Sequence, residues 1–371
     1  MSLAWRLALT RSAKPFSQAA GQTLRNGGAT GRAWIRMRPC ASVVTRSSVA
    51  GGDGVAARQS GTAADSQAQV NSRAVGFMPP LKLAMPPSRA RVLPLRSPRA
   101  FRLERSVNRL NPLPMLSDAR QAELLKFAEA LADVARSVLI PAHADPETRL
   151  EIKPDGSPVT WADKEAERLM RQLITKAYPT HGILGEEFGP QNVDAEFCWV
   201  LDPIDGTKSF LSRVPLYVTL IGLRYEGQPL LGLIDQPILD ERIVGDGRTA
   251  RLNGKTVRAA EVALKDAVVV STDFDNVRRL HKRARWNRLA DSVAHTRTWG
   301  DGYGHLLVAS GRAHVVADPV MNPWDLVPVI PVLKGAGALV TDWQGGDAVA
   351  SGNIIAAAPK LHAQVLATLN D

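Results

Sequence analysis

A chain of 371 residues, 45% hydrophobic and 22% charged, is long enough for one large domain or two and too apolar to be disordered throughout. Two cysteines, Cys40 and Cys198, exclude a disulfide scaffold and a four-cysteine zinc site, the seven histidines show no HExxH spacing, and no apolar run approaches the ~18 residues of a membrane-spanning helix. The net charge of +10 sits at one end: residues 1–116 hold 18 Lys and Arg against Asp53, Asp65 and Glu104, while the remainder holds 28 against 33 acidic residues, so the body is mildly acidic and carries no signal for a nucleic-acid groove.

Residues 1–114 are rich in Arg, Ser, Ala, Gly and Pro, with no acidic residue before Asp53 and no sustained periodicity. Such a composition does not bury enough surface to offset its ordering entropy, so a disordered basic extension is expected. Three origins stay open: an organellar transit peptide, which fits an Arg-rich and acid-poor start; a basic tail for an acidic partner; or sequence upstream of a true start at Met115. The folded domain is expected over residues 115–371. A cytoplasmic location is expected, or a plastid or mitochondrion if the extension targets one.

From Ser117 the texture changes. Ser117 is a good N-cap, and Leu124, Phe127, Leu131, Val134 and Val138 recur at helical spacing. A second helix is predicted over Trp161–Ala177, with Ala162, Ala166, Leu169, Leu173 and Ala177 as its apolar stripe and Pro179 just past its end. Phe197–Leu201 reads as a buried strand. Tyr217–Tyr225 and Leu230–Ile234 read as strands joined by the turn Glu226-Gly227-Gln228-Pro229. Ala267–Ser271 and His314–Ala317 are further strands, Asp301–Ser310 and Trp324–Lys334 are helices, and Asn353–Ala358 is a late strand before a final helix. Hairpins mixed with separate helices predict an α+β or layered α/β body.

The chemistry lies in short acidic motifs at segment ends. Asp202-Pro203-Ile204-Asp205-Gly206-Thr207 follows the strand Phe197–Leu201 directly. Two carboxylates three residues apart, with a carbonyl between them and Pro203 stiffening the turn, are a ligand set for Mg²⁺. Gly206 and Thr207 offer backbone N–H groups to a phosphate. The ordinary alternative is an acidic turn with Asp as a cap. Gly185-Glu186-Glu187 follows the apolar pair Ile183-Leu184; adjacent glutamates otherwise mark a solvated surface. Asp155-Gly156-Ser157-Pro158-Val159-Thr160 leads into the second helix, where Asp163 either reciprocates the Thr160 cap or serves the site. Pro323-Trp324-Asp325 opens another helix, where Asp325 either answers the helix dipole or binds metal.

Together, in this order, these segments resemble the inositol monophosphatase-like superfamily of metal-dependent, lithium-sensitive phosphatases, over about 257 residues after Met115. Lys208-Ser209, Gly232-Leu233-Ile234-Asp235-Gln236-Pro237 and Trp299-Gly300-Asp301 are similar to its histidinol-phosphate phosphatase branch. Two departures, Leu333-Lys334-Gly335-Ala336-Gly337 and the extra Pro328, bear on local helix geometry. The resemblance implies a layered αβαβα sugar-phosphatase-like fold and a homodimer. It implies two to three Mg²⁺ ions held by Glu186, Asp202, the Ile204 carbonyl, Asp205 and Asp325, with Asp163 near the attacking water, linked to Thr207 and helping to hold a weaker ion, and Glu187 as a further ligand. The Gly206 and Thr207 amides hold phosphate. The implied reaction is in-line attack by metal-activated water on a small phosphate monoester, with lithium inhibition. Metal binding needs ionised carboxylates, so activity rises toward mildly alkaline pH. Histidinol phosphate carries an amine, and Asp301 is the acid expected to pair with it; its alternative is a helix N-terminal charge. Trp299 is either a core aromatic or a pocket wall. Inositol, sugar or nucleotide phosphates are the alternative substrates, and a non-catalytic binding protein on the same fold is the remaining alternative. No nucleic acid or membrane partner is expected for the body.

Overall fold

The computed structural model describes residues 116–371, apart from 146–149, 155 and 281–282. The extension expected over 1–114, together with Met115 and Asp155, lies outside the described residues.

Helix α1 (Asp118–Ala144) starts where Ser117 Oγ accepts from Arg120 N at 3.3 Å, and it buries Leu124, Ala128, Leu131 and Ala135. A short hairpin, β1 (Leu150–Ile152) and β2 (Pro158–Thr160), leads into α2 (Trp161–Ala177). The buried line of α2 is Ala162, Ala166, Met170 and Ile174. Leu169 and Leu173 flank it half-buried and Ala177 is exposed, so the face is rotated from the expected stripe. Small residues explain the rotation: Ala162 and Ala166 share a core with Ala128, Ala132 and Ala135 of α1, where short side chains allow close helix packing.

Next come β3 (Gly182–Gly185), β4 (Gly189–Gln191), β5 (Phe197–Asp205), α3 (Thr207–Leu211), β6 (Val218–Tyr225), β7 (Gln228–Gln236), β8 (Glu241–Gly245), β9 (Ala250–Leu252) and β10 (Lys255–Thr256). These strands form one sheet in the order β10-β9-β8-β7-β6-β5-β3-β4, antiparallel except for β3 beside β5. The β6–β7 turn is tighter than predicted. Tyr225 pairs with Gln228, leaving only Glu226 and Gly227 as the loop, both at positive φ. That is the geometry a two-residue hairpin turn demands.

The rest of the chain is β11 (Val268–Val270), α4 (Phe274–Leu280), α5 (Arg283–Ser292), β12 (His295–Arg297), α6 (Asp301–Ala309), β13 (Val315–Asp318), α7 (Pro323–Gly335), β14 (Leu339–Thr341), α8 (Ala348–Ser351), β15 (Ile354–Ala357) and α9 (Pro359–Asn370). Its sheet runs β12-β11-β13-β15-β14. Period-two alternation assigns the faces. On β6 and β7, Ile221, Leu223, Leu231 and Leu233 pack with α1 and α2, whereas Leu220 and Ile234 pack with α6 and α7. On β13 and β15, Val316, Ile354 and Ala356 join that second core, while Val315, Ala317, Ile355 and Ala357 face Leu289 of α5 and Leu361 and Val365 of α9. The layers are therefore helix, sheet, helix, sheet, helix, as expected.

Helix α7 is apolar and buried on all sides from Leu326 to Leu333, and it continues through Pro328 and Pro331. Glycines make room for it. Gly222 pairs with Gly232, which pairs with Gly245 across three strands. A Cβ on Gly232 would stand 1.8 Å from Pro328 O, and one on Gly245 would stand 2.5 Å from Val332 Cα. The helix runs on through both prolines, and the bare glycine backbone beneath lets it lie close against the sheet.

Candidate active site

Strand β5 does not stop at Leu201, where the sequence pattern ended; it runs to Asp205. Asp202 pairs with Leu220 and Asp205 with Val218, so three steps on β5 match two on β6. The extra residue is a β-bulge. In a regular strand, residues three apart point to opposite faces; the bulge cancels that and brings both carboxylates to one side. Pro203 has no N–H to lose from the ladder, and Thr219 Oγ1 donates to the Pro203 carbonyl at 2.8 Å.

Asp325 enters from the first turn of α7. Its Oδ2 accepts from Asn322 N at 2.7 Å in a capping box, so the cap reading and the site reading hold together. Asp202, Asp205 and Asp325 each place an oxygen within 4.8 Å of the other two. Asp205 Oδ2 is fixed by the Gly302 amide at the start of α6. Asp202 is 2% exposed, and its buried Oδ1 has no hydrogen-bond partner among the described residues.

Electrostatics record the crowding. Burial first, then repulsion from Glu186, Asp205 and Asp325, raises Asp202 well above the ordinary carboxyl range. Asp205 is raised by burial, then Asp301 and Asp325. Burial pushes Asp325 up to about 7, against hydrogen bonds from Asn322 that lower it. Asp163 also rises to about 7, chiefly by burial, with Glu187 and Glu186 adding to it against its bonds from Thr160. These are the directions expected of like charges gathered in a poorly hydrated cleft.

Glu186 and Glu187 occupy the β3–β4 turn. Lys153, beyond β1, donates to Glu186 Oε1 and Glu187 Oε1, both at 2.8 Å. Burial works to lower the Lys153 ammonium, and the two glutamates carry it above its ordinary value. Sequence reasoning missed Lys153, since an isolated lysine two residues before the Asp155 motif carries no spacing signal. Asp163 Oδ2 accepts from Thr160 N at 2.8 Å and Thr160 Oγ1 at 2.6 Å, completing the expected capping box. The expected Asp163–Thr207 link is not formed: Thr207 Oγ1 donates to the Ile204 carbonyl at 3.2 Å. The Thr160 hydroxyl takes the place expected of Thr207.

Gly206 has φ +92°, and a Cβ there would lie 2.9 Å from Asp301 Oδ2. Asp301 therefore stands directly against the Gly206-Thr207 backbone. It sits at φ 49°, and its N–H donates to Thr272 Oγ1 at 2.7 Å. Burial, then Asp318, pushes its carboxyl up to about 6, and Lys208 opposes this. Trp299 is 42% exposed, with Arg297 over its ring at 5.8 Å, so it is not a core aromatic.

This donor set fits a hard divalent cation. It is all oxygen, it holds more negative charge than the fold neutralises, and it leaves a buried carboxylate oxygen unpartnered. Among the described residues no helix is long and apolar enough to cross a membrane.

The inositol monophosphatase family model matches residues 120–371. The chloroplastic bifunctional phosphatase IMPL2 of Arabidopsis thaliana is 37% identical over 269 residues, spanning 68% of this chain and 78% of the relative. The histidinol-phosphatase of Chlorobaculum parvum is 37% identical over 230 residues, spanning 62% of this chain and 89% of the relative. Among solved structures, an inositol monophosphatase from Zymomonas mobilis superposes with a TM-score of 0.61 at 31% identity, covering 67% of this chain and 98% of that one.

Proposed function

Because the chain belongs to the inositol monophosphatase family, we propose that it is a metal-dependent phosphoric monoester hydrolase acting on histidinol phosphate, in histidine biosynthesis. The convergence of Asp202, Asp205 and Asp325 around one point carries the reading. A non-catalytic role for the fold is disfavoured by the same cluster, since crowded carboxylates repel for no gain without a cation.

In this reading Glu186, Asp202, the Ile204 carbonyl, Asp205 and Asp325 hold two to three Mg²⁺ ions, with Asp163 at a weaker position and Glu187 assisting. Bound there, the ions supply charge neutralisation and acidify water, which a phosphate monoester needs because its uncatalysed hydrolysis is among the slowest known. The Gly206 and Thr207 amides hold phosphate oxygens. Asp163, held by Thr160 and buried beside Glu186 and Glu187, is the carboxylate that would accept the proton of the attacking water. The water oxygen attacks phosphorus in line, the P–O bond to the alcohol breaks, the leaving oxygen takes up a proton from solvent, and no phosphoenzyme forms.

Asp301 supports the substrate choice. A carboxylate against the phosphate-binding backbone suits a substrate amine, which histidinol phosphate has and inositol phosphate lacks. The 37% identity to a histidinol-phosphatase points the same way. A homodimer, lithium inhibition and a folded unit beginning near Met115 go with this reading. So does a cytoplasmic location, or a plastid one as in the chloroplastic relative.

The experiment is Mg²⁺-dependent phosphate release measured side by side on histidinol phosphate, inositol monophosphate and phosphoadenosine phosphate. Preference for the first is expected. Equal or faster release from inositol monophosphate overturns the substrate, and release undiminished by a chelator overturns the metal.

A further inference from the structure

Beneath the Glu186–Glu187 turn lies a charged pair that touches neither the cluster nor the phosphate loop. Glu167, on α2, has a fully buried side chain. Its Oε2 accepts from Glu187 N at 2.8 Å, and its Oε1 accepts from Phe188 N at 3.2 Å and from Arg171 Nε at 2.7 Å. Arg171 in turn donates to the Gly189 carbonyl. One i, i+4 pair on a helix thus grips both halves of a three-residue hairpin loop whose base is the Gly185–Gly189 pair. The fit is close: a Cβ on Gly185 would stand 2.0 Å from Glu167 Oε1. On its other side the loop is tied to β5 by Glu186 N donating to Leu201 O at 3.1 Å.

We propose that Glu167, neutralised by Arg171, is a positioning residue that sets the Glu186–Glu187 turn for cation binding. An uncompensated carboxylate buried at this depth is strongly unfavourable, and a solvated loop of this length needs no buried anchor. Arg171 supplies the compensation, and the two loop amides are what the carboxylate then holds. The Glu186 side chain, and Glu187 assisting it, are thereby displayed from a fixed backbone. The inference rests on the reading that Glu186 and Glu187 serve the cation.

The test is a Mg²⁺ titration of the full chain, following the thermal unfolding midpoint and, in parallel, phosphate release. Glu167→Gln presents an amide –NH₂ to one of the two loop N–H groups and breaks that bond. Orienting contacts of this kind change metal affinity by about 10–100-fold, so the Mg²⁺ concentration giving half the thermal gain should rise about tenfold or more. Saturating Mg²⁺ should restore turnover. A midpoint unchanged from wild type, whatever happens to the metal-free unfolding temperature, overturns the proposal. If Glu167→Gln does not fold, Arg171→Gln carries the same test with a smaller rise expected, and an unchanged midpoint there is equally decisive. If the wild type itself gains nothing from Mg²⁺, the metal reading fails, and this inference fails with it.

Discussion

Asp325→Asn separates a carboxylate kept for metal from one kept for structure. The substitution is isosteric and preserves the cap, because the amide oxygen still accepts from Asn322 N. What it removes is charge. Two ionised carboxylates with oxygens within 4.8 Å oppose each other by roughly 3 kcal/mol or more at an effective dielectric of ~20. Proton uptake limits the penalty. A carboxyl moved from 3.8 to about 7 carries roughly 4 kcal/mol at ~1.4 kcal/mol per unit, and solvent screening brings the expected value to about 2–4 kcal/mol. The folded pKa lies above the unfolded one, so folding retains a proton that unfolding releases. The penalty is therefore absent below pH ~4, grows as pH rises, and levels off above ~7. In chelator at pH 8, the variant should be more stable than wild type by about 2–4 kcal/mol in denaturant unfolding. The two should converge toward pH 4. Added Mg²⁺ should reverse the order, because only the wild type gains fully, and turnover of the variant should nearly vanish. A metal-free variant less stable than wild type at pH 8 would refute this reasoning, since the carboxylate would then be a net stabiliser of α7.

Gly206→Ala forces a side chain onto φ +92°, 2.9 Å from Asp301 Oδ2 and 3.2 Å from Tyr217 Cα. It should lose roughly 1–3 kcal/mol of stability by thermal unfolding and most phosphate release. Asp301→Asn should lower kcat/KM for histidinol phosphate by about 10–150-fold, from a charge-assisted hydrogen bond of about 1.5–3 kcal/mol. It should spare inositol monophosphate, so equal losses on both would assign Asp301 to cleft structure. His181 is stacked on Tyr178 and Phe197 and accepts from Trp199 Nε1 at 3.1 Å. Burial, then Arg120, lowers its pKa, so the unfolded chain binds the proton first and stability falls as pH drops below about 6.5. Comparing wild type with His181→Gln between pH 7.5 and 5 cancels the opposite trend of the carboxylates; a parallel decline in both would exclude His181 as the source.

Much of this was legible in the residues. Periodicity predicted α1 and α2, and the order of the acidic motifs carried the layered fold and the acids of the cluster. What was not legible came from pairing between distant segments. The end of β5 was misplaced because a bulge is a relation between two strands: Asp202 to Asp205 is three steps only when Leu220 to Val218 is two. The close seat of α7 on the sheet depends on the Gly222, Gly232 and Gly245 stripe beneath it, which is spread over 24 residues of sequence and meets only through strand register. Lys153 and Glu167 had no motif of their own, and Gly302, although it follows Trp299-Gly300-Asp301, gave no sign that its amide would hold Asp205. Lys153 acts on both glutamates, Glu167 on two loop amides and Gly302 on Asp205, and these partners lie between 20 and 97 residues away.

The same contacts explain how a fold tolerates so much clustered charge. Asp202 and Asp205 stand on a bulge held by Thr219, Asp205 is fixed by the Gly302 amide, Asp325 by Asn322, Asp163 by Thr160, and the Glu186–Glu187 turn by Glu167. Most of these anchors are backbone N–H groups or neutral hydroxyls. They fix position while adding no full positive charge that would compete with a cation. Lys153 is the exception among the described contacts, and it neutralises Glu186 and Glu187 from the rim, outside the Asp202, Asp205 and Asp325 cluster. Position is thus set by local hydrogen bonds, whereas charge in the cluster itself is left unbalanced. That division is what a site needs if its affinity for a divalent cation is to come from repulsion relieved on binding.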